Sequence, residues 1–152
     1  MTRFYLLCTS MLLGFALLTG CSRQQQVAVD ARDLDPFSEE AFCAWHIGSP
    51  TVGQEIFERP VLADGAGCVT CHSRSPDTRL VGPSLYGVAV TAAERQQGII
   101  PANYLYLSIV DPSFYVTPGF PADVMPGHYA EALSEEEITN LVSYLMTLYP
   151  DE

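Results

Sequence analysis

The chain has 152 residues, of which 48% are hydrophobic and 16% charged, which suits one globular domain with short accessories. Seven Lys+Arg, all of them arginine, face 18 Asp+Glu, for a formal net charge of -11. Nucleic acid and anionic bilayer surfaces both demand basic patches, so neither is expected as a direct partner, and a basic protein surface is.

The first predicted element is a leader. Arg3 supplies a positive charge, and residues 4–20, FYLLCTSMLLGFALLTG, carry none. A short basic start before an apolar run is the pattern of a secretory signal, and a spanning helix needs about 20 apolar residues. The run ends in LTGC, where Leu18, Thr19, Gly20 and Cys21 resemble a bacterial lipobox. That resemblance implies a lipid on Cys21 and a signal peptide over 1–20. An uncleaved anchor helix is the alternative. Either one puts the domain outside the cytoplasm and holds it on a membrane. Residues 21–48 are expected to form a lipid-anchored tether and extension. Its SRQQQVAVDARDLDP stretch has no apolar periodicity, and a flexible coil of that length spans roughly 20 Å. Cys43, Trp45 and His46 follow in the apolar AFCAWHIGSP. Trp45 is expected to pack back on the domain or against another subunit, His46 to be a surface or interface histidine, and Cys43 an inert small hydrophobe.

The domain is expected over 49–152. Ser49 followed by Pro50 signals a helix start, as cap and first helical residue. Residues 67–73 then read GCVTCHS. Cys68, Cys71 and His72 could begin a zinc site, a redox dithiol or a haem attachment. Zinc wants four ligands, often from a second such pair, and the sequence has no second C-x-x-C. A thioredoxin-like dithiol belongs to a βαβ pattern, which is absent from the sequence. Haem attachment needs nothing else nearby: two thiols reach two vinyl groups and the next residue lies under the iron. An exported chain also fits that chemistry.

Farther on, Gly82, Gly87, Pro112, Pro118 and Pro121 mark loops. ANYLYLSIV reads as a helix ended by Asp111-Pro112, with Tyr104, Leu105, Ser108 and Ile109 on one face. Met125 stands in the loop PADVMPGHY. A loop can offer a thioether to iron without giving up helix hydrogen bonds, so Met125 is the expected ligand opposite His72. His128 is the nearby rival and His46 a remote one. Met146 lies in a helical stretch and reads as core. The last helix starts at Ser134, with Glu137 completing a capping box and three glutamates in its first turn. Ile138, Leu141, Val142, Leu145 and Leu148 share its apolar face, and Pro150 is expected to stop it. Three or four helices and no hairpin are expected. Tyr86, Tyr104, Tyr106 and Tyr115, with Arg79 and Arg95, could meet haem propionates; the default is core tyrosines and solvated arginines.

Taken in order, C-x-x-C-H at 68–72, the Gly-Pro turn at 82–83, the Met-Pro loop at 125–126 and the terminal helix resemble a class I, mono-haem c-type cytochrome. Gly53 and Phe57 match the family's first helix. The resemblance spans about Gly53 to Leu148. It implies an all-α fold with three or four helices wrapped round one covalent haem c. It further implies thioethers on Cys68 and Cys71, and iron held by His72 and Met125. The Pro83 carbonyl would orient His72, and the terminal helix would pack on Gly53 near Tyr144. The implied role is electron transfer without a small-molecule substrate, not catalysis. The lipoprotein form resembles the small cytochrome subunit of alternative complex III, a quinol-oxidising assembly. That likeness implies residence on the extracytoplasmic face of a bacterial cell membrane, beside a multihaem cytochrome. A stand-alone lipoprotein carrier to a terminal oxidase, a ligand-binding or peroxidatic haem protein with an open sixth site, and a purely structural haem subunit are the alternatives.

Overall fold

The computed structural model describes residues 48–62, 65–95 and 99–151. The leader, Cys21, the tether, Cys43, Trp45 and His46 lie outside them. Among the described residues no helix is long and apolar enough to cross a membrane.

Helix α1, Pro50–Phe57, begins as its sequence dictates: Ser49 caps it by accepting from the Val52 amide, and Pro50 occupies the first turn. A minimal antiparallel ladder follows, β1 (Val61–Leu62) with β2 (Gly65–Ala66), pairing Val61 with Ala66. This corrects the expectation of no hairpin. The ladder has only two residues on each side, too short for the alternation that announces a strand. A single turn, α2 (Cys68–Cys71), comes next, then a loop to α3 (Val88–Arg95) and α4 (Pro101–Val110). A second short turn, α5 (Tyr129–Ala132), leads into α6 (Glu135–Leu145).

The capping box of α6 is complete. Glu137 N–H donates to Ser134 Oγ at 3.3 Å, and Ser134 N–H donates to Glu137 Oε2 at 3.0 Å. Its far end differs from expectation. The helix stops at Leu145 with Met146 as C-cap, well before Pro150. Thr147 and Leu148 then bond back to Tyr144 and Leu145 at 2.9 and 3.1 Å, the tighter i to i−3 pattern of a closing turn. Leu148 still packs against the core, and its carbonyl accepts from the Ala89 amide at 3.2 Å.

Helices α1 and α6 cross at Gly53. A methyl group there would collide with the Asn140 carbonyl and come within 2.8 Å of Tyr144 Cβ. The crossing is tied by Ser49 N–H donating to Asn140 Oδ1 at 2.6 Å and by the Phe57 and Tyr144 rings 5.5 Å apart. Ile56, Phe57, Ile138, Leu141 and Val142 are fully buried at this seam. Helix α4 packs against α6 and α3, placing Tyr104, Leu105 and Ile109 in the same core. The result is a small, mostly helical domain.

Candidate functional site

A cavity of about 490 Å³ opens between these helices, within the range of ligand pockets. Every site residue expected within the described segments reaches its wall: Cys68, Cys71, His72, Pro83 and Met125. They arrive from three directions. The α2 turn sets the two cysteines one turn apart, both in the cavity wall, and ends at His72. The Gly82-Pro83 turn folds back over the imidazole, tied by Gly82 N–H donating to the Cys71 carbonyl at 2.8 Å. The loop after α4 carries Met125 to the far wall.

His72 is fixed in tautomer and direction. Its Nδ1 lies 2.9 Å from the Pro83 carbonyl oxygen. A carbonyl only accepts, so Nδ1 carries the proton and Nε2 keeps its lone pair. Burial pushes the imidazole pKa below the ordinary histidine value, offset in part by the Pro83 contact. The neutral, ligating form is thereby favoured. Gly82 makes the approach possible, because a Cβ there would sit 2.5 Å from His72 Cε1.

Cys68 and Cys71 form no disulfide. Burial raises the Cys68 thiol to about 11, the direction opposite to that of an activated redox thiol. Among the described residues no group of three or more His, Cys, Asp or Glu is assembled for a metal ion, so a zinc site is not built there. The residues fit an iron porphyrin instead. The wall is largely apolar, with two thiols for covalent attachment, an imidazole with Nε2 free and a thioether. Nitrogen and sulfur are the usual axial donors to such an iron.

The rivals separate. His128 is exposed and absent from the cavity wall; its ring lies 4.5 Å from that of Tyr129. Met125 is half-buried and packs on the core. Tyr104 and Tyr115 line the cavity edge-to-face at 5.7 Å. Tyr86 lies elsewhere, accepting from the Asp151 amide at 2.8 Å, and Tyr106 is buried.

The default reading of Arg95 as solvated needs correction, while Arg79 is at the surface as expected. Arg95 is half-buried in the cavity wall and donates to Thr117 Oγ1 at 2.7 Å and Tyr104 Oη at 3.2 Å. Arg79 is exposed but engaged, donating to the Gly119 carbonyl at 2.6 Å with its guanidinium 4.0 Å from the centre of the Phe120 ring. Thr117, Phe120 and Tyr129 also line the cavity. Sequence reasoning did not single them out, since none stands in a motif.

Residues 51–149 match the family model described as cytochrome c. No curated protein matches the chain.

Proposed function

Because the chain belongs to the cytochrome c family, mono-haem proteins of class I that carry covalent haem c and transfer electrons, we propose a full assignment of this site. Cys68 and Cys71 form the thioethers, His72 and Met125 are the axial ligands, and Pro83 holds His72 in line. Haem c supplies a one-electron iron couple. The chain's own residues supply the rest. His72 presents Nε2 because Nδ1–H is committed to Pro83. Met125 presents a soft sulfur that raises the reduction potential. The apolar wall keeps water away. Arg95, a guanidinium in that wall, pairs with a propionate carboxylate.

The same reading extends to location. Lipid on Cys21 tethers the domain to the extracytoplasmic face of a bacterial cell membrane. There it serves in a quinol-oxidising complex of the alternative complex III type, taking electrons from a multihaem cytochrome subunit. What supports this is the LTGC run after the leader, and a net charge of -11 with no lysine, which disfavours free diffusion to acidic docking sites.

The observation that carries the site assignment is that Met125 and the oriented imidazole of His72 share one cavity with both thiols. Purified native protein is expected to show one haem in its intact mass and a sulfur-to-iron charge-transfer band when oxidised. Met125→Ala should abolish that band and lower the midpoint potential. A high-spin oxidised spectrum that shifts at once with cyanide would instead mark an open, ligand-binding site. Extraction in mild detergent should recover large membrane subunits with the chain; an isolated monomer would refute residence in a complex.

A further inference from the structure

We propose that Arg79 is a strap across the mouth of the cavity: it ties the loop after His72 to the loop that carries Met125, and so sets how readily the iron's sixth position opens to small ligands. The proposal rests on the assignment of Met125 as an axial ligand.

The two loops are unequally built. The loop after His72 is anchored at its base by Gly82 N–H to the Cys71 carbonyl at 2.8 Å and Leu85 N–H to the Ser73 carbonyl at 2.7 Å. On the other side, the chain leaves α4 at Val110 and forms no helix or strand until Tyr129. Met125 therefore hangs on a long irregular segment, and its position depends on side chains that reach that segment from elsewhere.

Two arginines do so. Arg95 holds Thr117 from the cavity wall. Arg79 holds the next residues from outside. Its Nη2 donates to the Gly119 carbonyl at 2.6 Å, and its Cζ lies 4.0 Å from the Phe120 ring centre. Gly119 adopts φ +85, a left-handed geometry that favours glycine, and its Cα side faces the Arg79 guanidinium. Phe120 itself lines the cavity, five residues ahead of Met125. One guanidinium thus uses both its properties, an N–H in the plane and a cationic face, on neighbouring residues of the same loop. Lysine has no planar face and cannot make both contacts at once. Arg79 is not itself in the cavity wall. It is a positioning residue that acts on Met125 through Gly119 and Phe120.

For Met125 to leave the iron, its loop must swing away from the cavity, and the Arg79 contacts are the exposed ones on that path. The test uses the oxidised full-length holoprotein titrated with imidazole, which competes for the sixth position, followed by loss of the sulfur-to-iron band. Arg79→Ala should lower the half-displacing imidazole concentration by about five- to tenfold, from loss of an exposed cation–π contact and a charged hydrogen bond. Arg79→Lys should fall between the two. Arg79→Ala combined with Phe120→Leu should go little beyond the single variants, because both remove one shared contact. An unchanged imidazole midpoint in Arg79→Ala, with the wild-type band present, overturns the strap alone. A wild-type protein without that band overturns the Met125 assignment beneath it.

Discussion

Gly53→Ala sets two opposed effects against each other. In an exposed helix, alanine stabilises relative to glycine by about 1 kcal/mol. At the α1–α6 crossing the added methyl meets backbone, not a flexible tip: the Asn140 carbonyl lies inside contact distance, its carbon at 2.5 Å and Tyr144 Cβ at 2.8 Å. Ordinary contacts to a Cβ fall at 3.4–4 Å, so α1 must retreat from α6 by about 1 Å. That retreat stretches the Ser49–Asn140 bond of 2.6 Å and parts the Phe57 and Tyr144 rings. Overpacking of this kind costs about 1–3 kcal/mol, and the lost buried hydrogen bond about 1 more. The net expected loss is about 1–3 kcal/mol, or a melting point lower by roughly 5–15 °C for a domain of this size. Thermal melts of the oxidised holoprotein by far-UV circular dichroism measure it. Glu55→Ala, on the exposed side of the same helix α1, is the control and should be near neutral. A Gly53→Ala protein that melts at or above wild type would refute the close crossing.

Three more outcomes are expected. Replacing both Cys68 and Cys71 by Ser prevents attachment and leaves the largely apolar cavity wall, to which Phe57, Leu105, Leu141 and Leu145 of the core contribute, facing water. The haem-free chain should therefore lose most of its far-UV helix signal, and full native helicity would count against this. Ser134→Ala should cost about 1 kcal/mol at pH 7 by denaturant unfolding. The Glu137 carboxyl is held below its ordinary value by the Ser134 amide first and the Ser134 hydroxyl second. A depressed folded pKa stabilises above the unfolded value and fades as pH falls through the folded one, so the gap between wild type and variant should shrink below about pH 4; a constant gap would show that the box contributes no linkage. Arg95→Gln should make the midpoint potential fall with rising pH, by at most ~59 mV per unit, because a propionate that has lost its guanidinium holds its proton to higher pH. Spectroelectrochemistry reads this, and a variant as flat as wild type would remove Arg95 from the propionate site.

How far the sequence could be read depended on the range of the interactions. Ser49-Pro50, the Ser134–Glu137 box and the Cys68–His72 spacing are local, each settled within a turn of chain, and all appear as expected. Helix α3 escaped notice because VAVTAAER buries a face of small residues, Val88, Ala89 and Ala92, too weakly apolar to give a clear period. Met125 and His128 stand three apart in one loop, and no local rule says which turns inward. The contacts of neighbouring chain segments decide it: Met125 meets the core while His128 stays exposed. The contacts of the two arginines are hidden in the sequence for the same reason, and Arg95 departs from its solvated default. Arg79 finds its partner 40 positions away and Arg95 finds Thr117 22 away, and an isolated arginine in a sequence looks solvated by default.

That contrast bears on how the two sides of the site work. The His72 side is made of short-range contacts: a helical turn, a glycine that clears space for the ring and a carbonyl at 2.9 Å. Such contacts leave the imidazole little freedom, which suits the axial role proposed for it. The Met125 side is made of long-range contacts to an irregular loop, held by two arginines from opposite sides. Local opening follows the elements with the fewest buried contacts, so the site should yield at the thioether and not at the imidazole. On the proposed assignment, the domain carries electrons while Met125 is held in place, and weakening the Arg79 contacts should open the sixth position to ligands. The choice between the two chemistries lies in side chains outside the C-x-x-C-H motif.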